Sequence, residues 1–117
     1  MNDIKMLVDD LNSMIMNGKI LEAFEKYYAD DVTMQENNEP IRVGKDVNRK
    51  FEQEFMAGVV EFHGAKILGV AVGDNLSMVE WWMDMTHKVY GRAAKNQVAV
   101  QRWQNGQIVS ERFYYSK

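Results

Sequence analysis

The chain contains no cysteine, which excludes disulfides, thiolate metal ligands and a cysteine nucleophile. With only two histidines, a zinc centre would have to be built mainly from carboxylates, so no metal is expected. No basic run stands out either: 14 Lys and Arg against 17 Asp and Glu give a net charge of −3, without the clustered cations that phosphate contacts require. Nucleic acid is therefore not an expected partner. Nor is a membrane, since no apolar run approaches the about 18 residues that a spanning helix needs. The N-terminal stretch MNDIKMLVDD has acids where a targeting segment would be basic or apolar, so the expected location is cytoplasmic. Proline occurs once, at Pro40, which leaves nearly every backbone N–H free to donate in long helices and strands.

Apolar residues make up 46% of the 117 positions and charged residues 26%, enough for a packed core and too little charge for a disordered chain. One domain spanning residues 1–117 follows from that length. Ile4, Leu7, Val8, Leu11, Met14 and Ile15 recur at helical spacing, and Asn17-Gly18 reads as the stop. A second helix fits Lys19 to Tyr28, with Ile20, Phe24, Tyr27 and Tyr28 on one side. Val32 to Glu36 reads as a short strand, and Asn37 to Pro40 as a loop. Gly44 leads into a third helix whose apolar face is Val47, Phe51 and Phe55, with Gly58 as its stop. Beyond Val59 the period becomes alternating. Gly73-Asp74-Asn75, Tyr90-Gly91 and Asn105-Gly106 divide the remainder into four long strands. Helices first and an antiparallel sheet second predict an α+β fold.

The run Tyr27-Tyr28-Ala29-Asp30-Asp31-Val32, followed by Glu36, Pro40 and Gly44-Lys45-Asp46, resembles the SnoaL-like branch of the nuclear transport factor 2-like superfamily. Met83 to Lys88, Gly91-Arg92, Val98 to Val100, and Asn105 to Val109 followed by Glu111 to Tyr115 resemble that family's final strands and hairpin, so the likeness covers nearly the whole chain. It implies a cone-shaped α+β fold, with N-terminal helices packed on a curved antiparallel sheet around a pocket, usually in a homodimer. It implies little about activity, because the superfamily includes isomerases, polyketide cyclases, epoxide hydrolases and non-catalytic binding modules.

A two-residue turn at Asn105-Gly106 sets Gln104 opposite Gln107, Arg102 opposite Val109, Val100 opposite Glu111 and Val98 opposite Phe113. The face carrying Val98, Val100, Arg102, Val109, Glu111, Phe113 and Tyr115 is assigned to the inside of the cone, and Trp103 to the outside. A two-residue register around Gly73-Asp74-Asn75 groups Glu61, His63, Ala65 and Ile67 with Met78, Glu80, Trp82 and Asp84; a three-residue turn reverses that grouping. The inside then holds His63, Glu80, Asp84, Arg102 and Glu111, more charge than a plain core tolerates. His87, beside Lys88 near a turn, is expected at the surface.

Glu36, His63 and Asp84 are the candidate catalysts. Glu36 matches the position of the general-base carboxylate in the ketosteroid isomerases, and Asp84 falls where it can orient His63. Carboxylates held in apolar surroundings titrate towards neutrality, where they move protons at carbon. Glu80, Trp82, Arg102, Glu111 and Tyr115 are the candidate substrate-binding residues. The isomerases' oxyanion tyrosine corresponds to about Leu11, and their second oxyanion acid to the acid-free Ala99–Gln101 region, so that specific activity is not expected. Asp84, Arg102 and Glu111 only loosely approximate the Asp-Arg-Asp arrangement of the related epoxide hydrolases. The reading is a cofactor-independent pocket protein for a small, mostly apolar molecule, with isomerase, cyclase or hydrolase chemistry. Its alternative is a non-catalytic dimeric binding or assembly domain whose charges are structural, Arg102 and Glu111 forming an ion pair. Exposed aromatics on the sheet make the convex face the expected homodimer contact.

Overall fold

The apolar stripe from Ile4 to Ile15 forms one side of α1 (Ile4–Met16), and in the computed structural model, which describes residues 4–116, Val8 and Leu11 on that side are fully buried. The helix stops where expected. Gly18 takes φ of 77°, the Lys19 N–H reaches the Met14 carbonyl at 2.8 Å and the Gly18 N–H that of Ile15 at 3.0 Å, a Schellman closure that glycine permits. α2 (Ile20–Tyr27) buries Ala23, Phe24 and Tyr27. Tyr28 does not end this helix as the spacing predicts but is extended and opens β1 (Tyr28–Glu36). Its ring stacks on Phe24 at 4.9 Å while its hydroxyl reaches Glu111 on the sheet, which holds the chain at the crossing from helix to strand.

β2 (Arg42–Val43) pairs antiparallel with β1, and α3 (Lys45–Ala57) starts after Gly44, whose φ of 97° suits glycine. The expected apolar face of α3 is not its buried one. Val47 is 54% and Phe51 38% exposed, whereas Asn48 is fully buried. The Asn48 amide explains the rotation: it donates to the carbonyls of Arg42 and Gly44 at 3.1 and 2.8 Å and accepts from Arg42 Nε at 3.0 Å. A buried amide with all these bonds made fixes the helix face more firmly than the Val47 and Phe51 side chains do.

Four long strands follow: β3 (Val59–Gly73), β4 (Leu76–His87), β5 (Gly91–Gln104) and β6 (Gln107–Tyr115). The sheet order is β2-β1-β6-β5-β4-β3, and β1 runs parallel to β6, so the sheet is mixed rather than antiparallel throughout. Asn105 and Gly106, with φ of 53° and 79°, make the expected two-residue turn and set Gln104 opposite Gln107. One step further the expected register fails. Trp103 pairs with Ile108 and Arg102 with Ser110, leaving Val109 as a bulge; Gln101 therefore faces Glu111, and Ala99 faces Phe113. Irregularities on β3, at Val60, His63 and Leu68, shift that strand in the same way, pairing Ala65 with Met83 and Ile67 with Trp81.

These shifts decide which side chains the helices cover. The inner face carries Ser77, Val79 and Trp81 on β4, Ala99, Gln101 and Trp103 on β5, Ile108, Glu111 and Phe113 on β6, and Val32 and Met34 on β1. Val8, Leu11, Phe24 and Tyr27 from the helices complete one core with Val79, Trp81, Trp103 and Ile108. Trp103 is thus 3% exposed in the core rather than on the outer face. No helix among the described residues is long and apolar enough to cross a membrane.

Candidate functional site

Glu111 is the most enclosed acid among the described residues, 3% exposed on the inner face. Tyr28 donates to its Oε1 at 2.5 Å and Gln101 Nε2 to its Oε2 at 2.8 Å. Behind Gln101 the bonds continue, from Ser77 Oγ to Gln101 Oε1 at 2.7 Å and from Trp103 Nε1 to Ser77 Oγ at 2.8 Å. Five side chains on four strands thereby form one closed polar chain inside the core. Burial pushes the Glu111 carboxyl up to about 7; the bonds from Tyr28 and Gln101 pull against that, and the charges of Glu52 and Glu36 add to it. Burial also drives the Tyr28 phenol well above its ordinary value, with the Glu111 charge as the next cause.

Towards the free end of β1, Glu36 accepts from Arg42 Nη2 at 2.9 Å and from the Tyr115 hydroxyl at 3.4 Å. The Arg42 guanidinium lies over the Phe51 ring, 3.7 Å from its centroid, and is fixed by Asn48. Burial raises the Tyr115 phenol, and the Glu36 charge adds to it. Glu52, projected from α3 by the rotation that buries Asn48, lies near enough to Glu36 and Glu111 for the Glu36 charge to act on it and for its own to act on Glu111. Its carboxyl has no hydrogen-bond or ion-pair partner among the described residues. Burial lifts it to about 7, helped by the Glu36 charge and opposed by Arg42. The sequence reading missed Glu52. The available signal was its spacing: Asn48, Glu52 and Phe55 fall at i, i+4 and i+7, one helix face.

Glu36, Glu111 and Tyr115 thus share the inner face with Glu52. The other five candidates do not join them. Glu80 is exposed, and Trp82, Asp84 and Arg102 share its outer face, because each pairs in register with residues that alternate away from the core. Arg102 and Glu111 consequently make no ion pair. Asp84 is held instead by a two-pronged bond from Arg92, at 2.9 and 3.3 Å, which keeps its carboxyl below the usual range. His63 lies near enough for its charge to act on Asp84, as the spacing predicts, but it bonds Thr86 Oγ1 at 2.8 Å and sits outside the cone. His87, expected at the surface, is 7% exposed beneath α3. Among the described residues no three His, Asp or Glu side chains are placed to hold a metal ion. A cavity of about 210 Å³ opens on the outer face, across the sheet from the carboxylates.

An α+β cone in which a curved mixed sheet wraps three helices is the architecture of nuclear transport factor 2-like proteins. A family model of the SnoaL-like domain matches residues 3–115, and the chain belongs to that family. A protein from Mesorhizobium loti, provisionally assigned as a SnoaL-like polyketide cyclase, is 30% identical; the match covers 97% of this chain and all of that one, with a TM-score of 0.88. A nuclear transport factor 2-like protein of unknown function from Burkholderia pseudomallei is 15% identical over 99% of this chain and 92% of its own, with a TM-score of 0.82. A ketosteroid isomerase-like fold from Catenulispora acidiphila, solved with trimethylamine, is 17% identical over 94% and 85%, with a TM-score of 0.75. No curated protein matches the chain.

Proposed function

We propose that the protein binds a small, mostly apolar molecule between α3 and the inner face of the sheet, and that Glu52 is its general acid or base. The single observation behind this reading is the Glu52 carboxyl: half-buried, without a hydrogen-bonding partner among the described residues, and raised by desolvation to about 7. Such a group is half-ionised near neutral pH and has both oxygens free to take a proton from, or return it to, a carbon acid. Glu36 is the weaker candidate because Arg42 already occupies it. In this reading Glu36, Arg42 and Tyr115 orient the polar end of the molecule, while Phe55, on the same helix face as Glu52, packs its apolar body. Glu111 stays a structural acid, since both of its oxygens are taken. The 30% identity to the Mesorhizobium loti protein supports a carbonyl-rich, polyketide-like substrate class.

The test uses carboxyl-labelled protein and a panel of cyclisable β-dicarbonyl compounds in deuterated water. Glu52 is expected to titrate near neutrality, and deuterium is expected to enter the activated carbon with the wild type but not with Glu52→Gln. A Glu52 carboxyl that titrates in the ordinary carboxylate range defeats the acid–base reading. The non-catalytic reading is favoured by one observation: the most buried carboxylate among the described residues, Glu111, faces internal donors only.

A further inference from the structure

We propose that the recess on the outer face is a second binding site, for a small molecule bearing a carboxylate or phosphate on a short apolar body. The recess measures about 210 Å³ and is floored by β1, β6 and β5. Strand register places its polar side chains in two rows. Thr33, Ser110 and Arg102 are successive cross-strand neighbours, and so are Gln35, Arg112 and Val100 in the next row. The Val109 bulge produces this grouping, because it sets Arg102 beside Ser110 rather than beside Val109.

The recess is rich in donors and poor in acceptors. Arg102 makes no hydrogen bond, ion pair or ring contact among the described residues, so its whole guanidinium is available. Arg112 is fixed in place: Nε donates to the Asn37 carbonyl at 3.0 Å, Nη2 to Asn38 Oδ1 at 2.7 Å, and the group lies over the Tyr114 ring. Its Nη1 stays free. The Thr33 and Ser110 hydroxyls make no side-chain bonds among the described residues. Glu111 touches the recess only from behind, since both its oxygens accept bonds on the inner face. One anchored cation, one unpaired cation and two hydroxyls with no opposing carboxylate select an anion, and the forked guanidinium fits two oxygens of either a carboxylate or a phosphate. Ile41, Val100 and Tyr114 give the apolar wall. This site is independent of Glu52, which stands on the other side of the sheet.

The competing occupant is a second copy of the chain. Glu80 is exposed on the same face and also lacks an ion-pair partner among the described residues, so a two-fold axis between copies can bring it to Arg102. Glu80 lies on β4, however, and no β4 residue lines the recess.

The experiment titrates isotope-labelled protein with benzoate, phenyl phosphate and the neutral benzyl alcohol, following backbone amides. Benzoate, phenyl phosphate or both are expected to shift Thr33, Ser110 and Arg112 saturably, with the tighter of the two identifying the oxyanion; benzyl alcohol should leave these amides unmoved. Arg102→Gln, at an exposed and unpaired position that leaves the fold intact, is expected to weaken binding about tenfold or more. The proposal is overturned if no saturable shift occurs, if benzyl alcohol binds equally, if Arg102→Gln has no effect, or if the shifts centre on Glu52 and Tyr115. It is also overturned if sedimentation shows a dimer that Arg102→Glu disrupts and Arg102→Glu with Glu80→Arg restores.

Discussion

The imidazole of His87 occupies the space that a side chain at Gly58 would need: a Cβ there would lie 2.3 Å from Nε2 and 2.4 Å from Cε1. Gly58 is in ordinary helical geometry, with φ of −88°, so its glycine is required by this contact and not by the backbone. His87 is held from both ring nitrogens. The Val89 N–H donates to Nδ1 and Nε2 bonds the Phe55 carbonyl, both at 3.1 Å, which sets the neutral tautomer with its proton on Nε2. The ring thereby joins the end of α3 to the end of β4. Gly58→Ala must expel it and is expected to cost about 2–4 kcal/mol in urea unfolding. Gly73→Ala, with nothing within 4 Å, is the control and should stay within about 0.5 kcal/mol of the parent.

The elements that follow from local chemistry were legible in the sequence: the Gly18 stop, the Asn105-Gly106 turn and the four long strands. What local chemistry does not determine was not legible. An extra residue such as Val109 costs little locally, and its position is chosen by the need to keep both Trp103 and Ile108 inside. One such residue moves Arg102 to the outer face and brings Gln101, not Val100, to Glu111. On β4 the unbroken pairing with β5 puts Trp82 beside Asn96 and Asp84 beside Ala94, on the outer face with Arg102, while Trp81 goes in. Glu111, Glu36 and Tyr115 were found because their strand positions lie beyond the bulge or on β1. Glu52 was missed because Phe51 and Phe55 suggest a different inward face, and only the three bonds of Asn48 reveal the true one.

Stability should depend on pH with a sign opposite to that of most carboxylates. Glu111 and Glu52 both titrate at about 7 in the fold against an ordinary value of 4.5, so the native state binds more protons than the unfolded chain between those values. Stability therefore falls as pH rises from about 4.5 to about 7 and then levels, by a few kcal/mol at most for the pair. Asp10, Glu25 and Asp84, lowered by Tyr27, Arg49 and Arg92, act conversely and withdraw support only in stronger acid. Calorimetry is expected to give a melting temperature that peaks near about pH 5 and is several degrees lower at about pH 8. A flat profile across that range would show that neither carboxyl is raised.

Tyr28→Phe removes the donor to Glu111 Oε1 and keeps the ring on Phe24. The loss falls mainly on the ionised acid, because the phenol bond favours the charged form of Glu111. Expected destabilisation is about 1–3 kcal/mol above neutral pH and visibly less near pH 5, where Glu111 is protonated. Denaturant midpoints at the two pH values measure the difference. An equal loss at both would assign the effect to packing alone.

Asn48→Leu tests whether one buried amide orients α3. The substitution keeps most of the side-chain volume but removes the side-chain bonds to Arg42 Nε and to the carbonyls of Arg42 and Gly44, the last keeping only the backbone N–H of residue 48 at 3.2 Å. With three bonds lost at a fully buried position, the expected cost is about 2–4 kcal/mol by urea unfolding. The helix then has less reason to hold Val47 and Phe51 outward, and turning them in moves Glu52 towards solvent. Two readouts should therefore change together: the midpoint falls, and the Glu52 carboxyl returns from about 7 towards 4.5. If stability drops while Glu52 still titrates near neutrality, Asn48 contributes binding energy to the β2–α3 junction but does not set the face that α3 presents to the site.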